Sequence, residues 1–239
     1  MAIARVQSVS STTAAGAAAA TLSLVFGVAT TAGNVVMVAV NSTSVGQVKV
    51  TSAHGLFSDV TPQGINTSGT SNQVRIFHGI MTGADQVITI TFIASSRAAA
   101  VAAEYSGSHI TQADIPTNVQ SLTATPNTAA ITNSNANSLY VAALGQKGVN
   151  VATTNNAWCS APTNSFNIVD QTTTNVNSGN ADFAVVYLDS IVSTSSARNV
   201  AVTSALGSLQ SSGIMATFQE ILTVTGGGLR TAGHGGLAA

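Results

Sequence analysis

Alternation of apolar and polar residues with period two runs through nearly the whole chain, and that period predicts strands. In DQVITITFIA (85–94), Ile88, Ile90 and Phe92 fall on one face while Thr89 and Thr91 fall on the other, as expected of a strand with one face on a core. TLSLVF (21–26) behaves in the same way, with Leu22, Leu24 and Phe26 set against Thr21, Ser23 and Val25. GNVVMVAVN (33–41) is apolar on both faces, Val36, Val38 and Val40 on one and Val35, Met37 and Ala39 on the other, which predicts a central strand covered from both sides. Apolar residues at helical spacing are rare, and the abundant Thr, Val, Ser and Asn are mediocre helix formers. Turn chemistry separates the runs at Thr82-Gly83-Ala84-Asp85, Ser95-Ser96, Ser106-Gly107, Ser178-Gly179-Asn180 and Ser211-Ser212-Gly213. The pattern predicts an all-β chain, an antiparallel β-sandwich or jelly roll of roughly fourteen strands.

The strands also recur in order. GN-VVMVAVN is matched by AN-SLYVAALG (136–145), with Asn34 against Asn137, and each is followed by a long polar loop carrying an aromatic near its start, Phe57 in one and Trp158 in the other. QVRIFHGI (73–80) is then matched by DFAVVYLDSIV (182–192), DQVITITFIA by ARNVAVTS (197–204), and RAAAVAAEYSG (97–107) by GIMATFQEI (213–221). Two similar β halves follow, 1–110 and 137–222, which form either one sandwich or two. The segment 111–136 between them carries Pro116 and Pro126, and reads as a linker or as an edge strand passing between sheets. Residues 223–239 form a glycine-rich tail.

Composition narrows the function. Of 239 residues, 45% are hydrophobic, enough for an ordinary core, yet only 6% are charged against about 25% in a typical soluble domain. Hydroxyls and amides must cover the outer faces, and such side chains lose little rotamer freedom in permanent contacts. With a net charge of −1 little keeps copies apart, so assembly into a homo-oligomer or larger particle is expected. The seven basic residues, Arg5, Lys49, Arg75, Arg97, Lys147, Arg198 and Arg230, form no run in sequence, which argues against direct nucleic-acid binding. Ala14–Ala29 has the small and apolar residues of a secretory signal, but the strand alternation inside it argues for a strand, a loop and a strand, with no signal peptide. Thr, Ser and Gly interrupt every apolar run short of a membrane helix, so no membrane partner is expected.

Candidate chemistry is sparse. Cys159 is the single cysteine, it stands in no nucleophile motif, and no Cys/His spacing forms a zinc site. His78 shares a face with Val74, Ile76 and Ile80 and reads as a residue at the edge of the core. The only glutamates, Glu104 and Glu220, do not occupy matching positions of the repeat, so they form no glycosidase-like carboxylate pair. Asp170 and Asp182 flank QTTTNVNSGNA, where calcium is conceivable but loop solvation is favoured over it. No enzyme, cofactor or metal site is expected. Partner contacts are assigned to the loops headed by Phe57 and Trp158, which otherwise plug the ends of the sandwich, and to the tail residues Gly226, Gly227, Gly228, Leu229, Arg230 and His234. Six glycines among the final fourteen residues cannot build their own core, so a neighbouring subunit is the natural support.

GN-VVMVAVN, the IFHGI strand and DQVITITFIASSRAAAVAAEYSG together resemble the Ala/Thr/Ser-rich β-sandwich proteins among bacteriophage virion components, which include head decoration or cement proteins and minor tail proteins. The resemblance runs from Ile3 to Ile221 and lies in residue style and strand order. It implies a late structural protein attached to a virion, assembled in the host cytoplasm, with no active site to carry over, and the charge-poor, hydroxyl-rich surface with the glycine-rich tail points further to a capsid decoration or cement protein that bridges subunits of the major capsid protein. The alternatives are a tail or fibre component, a jelly-roll shell protein, and an adhesin or carbohydrate-binding module using Trp158 or Phe57.

Overall fold

The computed structural model describes residues 3–13, 17–43, 48–60, 73–107, 110–112, 117–132, 137–149, 157–174, 181–193 and 196–220. Every regular element among them is a β-strand, and all pairings are antiparallel. The first half contains β1 (Ala4–Thr12), β2 (Ala19–Val25), β3 (Val35–Ser42), β4 (Val48–Thr51), β5 (Gly55–Asp59), β6 (Gln73–Met81), β7 (Val87–Ser96) and β8 (Ala98–Ser106). They form one five-stranded sheet, β1-β8-β3-β6-β5, and one three-stranded sheet, β2-β7-β4. The rest of the chain supplies β9 (Ile110–Gln112), β10 (Thr117–Thr123), β11 (Ile131–Thr132), β12 (Ser138–Val149), β13 (Cys159–Ser160), β14 (Asn167–Thr173), β15 (Ala181–Val192), β16 (Ala197–Arg198), β17 (Thr203–Ser204) and β18 (Leu209–Glu220). Here the large sheet is β10-β18-β12-β15-β14 with β9 added to β18, and two small ribbons are β11-β16 and β13-β17.

The described chain is thus an all-β sandwich of eighteen strands. The excess over the expected fourteen is made of β11, β13, β16 and β17, two-residue pairs too short for a period-two pattern to register. The segment 111–136 contributes β10 at the edge of the large sheet, and the carbonyl of Pro126 accepts from the Val202 amide. Pro116 and the tail lie outside the described residues. Two turn assignments are corrected: Ser95-Ser96 ends β7, where Ser96 pairs with Ala19, and Ser211-Ser212-Gly213 lies inside β18 and is buried. These small residues are there for close approach, since a Cβ on Gly213 would come within 2.1 Å of the Asn127 carbonyl oxygen.

The two halves share a topology strand by strand. β10-β18-β12-β15-β14 repeats β1-β8-β3-β6-β5, while β11-β16 and β17-β13 stand in the places of β2-β7 and β7-β4. The register of the repeat differs by one residue from the match of Asn34 with Asn137. Val35, Met37 and Ala39 face the core between the two large sheets, and in β12 the residues doing so are Leu139, Val141 and Ala143. Val35 therefore corresponds to Leu139, because a slip of one residue would turn every side chain to the opposite face. The strand pairings then align Tyr105 with Phe218 and His78 with Asp189. Contacts across the halves confirm this frame: Tyr105 donates a hydrogen bond to Asp189, and the Phe218 ring packs tilted against His78 at 5.4 Å between centroids.

Three cores result. One lies between the three-stranded sheet and the first large sheet, built from residues such as Leu24, Phe26, Val38, Ile88, Ile90 and Phe92. A second lies between the second large sheet and its ribbons around Trp158, Tyr140, Phe166 and Met215. The third joins the two large sheets face to face. The alternation read in TLSLVF and DQVITITFIA is reproduced residue by residue, and β3 is buried on both faces.

At the central contact Gly145 leaves room for the other half. A Cβ there would lie 2.5 Å from both Asn41 Nδ2 and Val74 Cγ2, and Asn41 Nδ2 donates to the carbonyls of Gln146 and Ala184. Gly145→Ala is expected to lower unfolding stability by about 1–3 kcal/mol through overpacking. Denaturant titration checks it, and an unchanged midpoint would contradict the close approach.

Candidate functional site

At one end of the central contact the two halves enclose a cleft of about 450 Å3. Arg5 reaches it from β1, Asn167 from the start of β14, Asp189 and Ile191 from β15, and Arg198 from β16. Asp189 is the anchor. It is nearly fully buried, and its Oδ2 accepts from Arg5 Nη1 at 3.1 Å and from the Tyr105 hydroxyl at 2.9 Å. The Tyr105 hydroxyl also lies 3.3 Å from that of Tyr187. The network crosses the halves, with Arg5 and Tyr105 from the first and Asp189 and Tyr187 from the second.

Arg198 also lines the cleft. Its Nη1 donates to the Asn164 carbonyl at 2.8 Å and to Ser190 Oγ at 3.4 Å, its Nε donates to Ser196 Oγ, and its guanidinium lies over the Tyr140 ring. The loop it ties down turns through left-handed backbone at Ala161, Asn164 and Ser165, with φ of 51°, 57° and 60°. Asn takes that region readily, but Ala and Ser do so at a cost.

Two further polar clusters have structural roles. The buried Glu104 carboxylate accepts from Gln7 Nε2, the Thr31 amide and Asn34 Nδ2, and so fastens the turn before β3 to β8. Asp85 accepts from the His54 amide at 2.6 Å and faces His54 Nδ1 at 2.8 Å, joining the turn before β5 to the turn before β7. Burial raises the Asp85 pKa, but its contacts with His54 and Ser52 outweigh this and leave it below the usual value.

The residues singled out from sequence lie elsewhere. Trp158 has no exposed surface and its Nε1 donates to the Val185 carbonyl, so as a direct partner contact it is corrected to a core residue. Phe57 is half-buried and its ring covers Gly55 and Gly79. Its counterpart in the repeat is Phe166, since Ser58 pairs with His78 as Asn167 pairs with Asp189. Cys159 is buried, its thiol pushed up to about 12 by desolvation, while Gln171 brackets its backbone with two hydrogen bonds. His78 faces the central contact, and burial lowers its pKa. Asp170 accepts from the amide of Gln171 beside a bulge, while the side chains of Asp182 and Glu220 lie outside the described residues. So do Gly226, Gly227, Gly228, Leu229, Arg230 and His234. No group of three metal-ligating side chains occurs among the described residues.

The cleft was not legible from spacing, because Arg5 and Arg198 stand 193 positions apart. One signal was present: Asp189 interrupts the apolar run FAVVYLDSIV in a chain where charge is rare. Comparison with family models, curated proteins and solved structures finds no match.

Burial raises the pKa of Asp189, Arg5, Tyr105 and Asn167 pull it back, and the net shift is upward. A carboxyl raised on folding stabilises the fold fully below its unfolded pKa of about 4, and loses that contribution as pH rises through the folded value. Asp189→Asn removes this titration. In thermal melts between about pH 3 and pH 7, the variant is expected to gain relative to the parent as pH rises. A difference that is constant, or that moves the other way, contradicts the assignment. Cys159 is expected to resist thiol reagents at about pH 8 until the chain unfolds, and labelling of the folded protein would contradict its burial.

Proposed function

We propose that the protein is a structural component of a virion, a capsid decoration or cement protein that bridges subunits of the major capsid protein, and that each half is wound as a jelly roll. Nested pairing in the first half, β1 with β8, β2 with β7 and β3 with β6, supports that winding, and the shared strand order extends it to the second. The observation that carries the assembly role is the outer face of the β2-β7-β4 sheet. Thr21, Ser23, Thr89, Thr91 and Thr51 stand on it with Lys49 as its one cation, and Val25 and Val87 form an exposed apolar pair at one end. Such a face offers many short hydroxyl groups at low entropic cost, together with apolar area at its margin. The chain's composition and its resemblance to phage accessory proteins support the same reading, including a homo-oligomeric form and location in the virion.

Incubation of the purified chain with virions lacking it tests this directly. The protein is expected to cosediment with particles and to raise the temperature at which they rupture, while Ser23→Glu combined with Thr91→Glu abolishes both effects and leaves its own melting unchanged. Absence of cosedimentation, or binding indifferent to these charges, would contradict the role.

A further inference from the structure

The polar cleft is not something the fold requires. At the corresponding corner of the other half, Phe218 replaces Tyr105, His78 replaces Asp189, Ser58 replaces Asn167 and Leu56 replaces Ser165, and a ring contact suffices. The same architecture is therefore completed once with a tilted ring pair and once with a buried carboxylate, two guanidiniums and left-handed backbone at Ser165. A buried charge and strained backbone both cost stability, and strain of this kind collects where ligands bind.

We propose that this cleft binds an acidic monosaccharide, with its carboxylate on the guanidiniums of Arg5 and Arg198. The N–H groups of these side chains beyond those already named have no partner among the described residues. Guanidinium forks match a planar carboxylate. Asp189 cancels one of the two positive charges, so the site is balanced for a monoanion and not for a phosphate dianion. Ser165, Asn167 and Ser193 supply short polar groups for ring hydroxyls, and Ile191, 46% exposed, gives an apolar surface for a sugar face. The volume falls within the range of small-molecule sites, about 300–1,000 Å3.

The test is titration of the full chain with glucuronate by ligand-observed NMR, with glucose and inorganic phosphate as comparison probes. Saturable glucuronate binding with Kd of about 1 mM or tighter is expected, at least about tenfold weaker for glucose. It should weaken as salt rises. Ile191→Glu sets a carboxylate in the cleft from an exposed position, so it is expected to abolish binding without lowering the melting temperature. Arg198→Gln, verified as folded, is expected to weaken binding at least about tenfold. The proposal is overturned if glucuronate does not saturate below about 10 mM, if glucose or phosphate binds as well, or if Ile191→Glu binds like the parent.

Discussion

The face-to-face contact between the two large sheets is the constraint on which the rest depends. β3 and β8 in the first half and β12, β15 and β18 in the second are covered on one side by their own small sheet or ribbons and on the other by the opposite half. That double coverage explains why their sequences abandon alternation, as in AAAVAAEY and LYVAAL, and why they are rich in small residues. Sheets packed through Ala39, Ala99, Ala103, Ala143, Ala216 and Gly145 approach closely, and larger side chains such as Val101, Phe183 and Tyr187 fill the spaces between. Each fully buried Val, Leu, Ile or Phe contributes about 1.5–3 kcal/mol, so neither half can give up this contact cheaply.

Placing two copies of one topology face to face also creates two related corners, and their divergence is informative. The corner built on His78 and Phe218 is closed by a ring contact, whereas the one built on Asp189 and Tyr105 holds a buried carboxylate paired with Arg5 and two buried tyrosine hydroxyls. The second keeps an ion pair whose desolvation has to be offset, and it borders an open cleft. The outer face of the β2-β7-β4 sheet is poor in charge and rich in hydroxyls, which is the surface the proposed assembly role draws on.

Strand content, burial phase and the recurrence of the fold were legible because each is written locally. Leu22, Leu24 and Phe26, or Ile88, Ile90 and Phe92, declare their face by alternation alone. The exact frame of the repeat was not legible. Asn34 and Asn137 match as letters, while the structure aligns Val35 with Leu139, and in strands apolar on both faces the sequence carries no phase. Trp158 and Phe57 were matched as loop aromatics, but the strand registers make Phe166 the counterpart of Phe57, and Trp158 is buried. The cleft escaped for a related reason. Asp189 and Arg198 come from consecutive strands, β15 and β16, but Arg5 comes from β1, and only the packing of one half on the other brings it to them.

The central claim is that the two halves share one core and so form a single cooperative unit. Native-state hydrogen exchange on the full chain measures this most directly, through the opening free energies of amides in β3 and β8 compared with those in β12 and β18. One common value, equal to the global unfolding free energy, is predicted for all four strands. Two distinct values, with one half opening while the other stays protected, would contradict it.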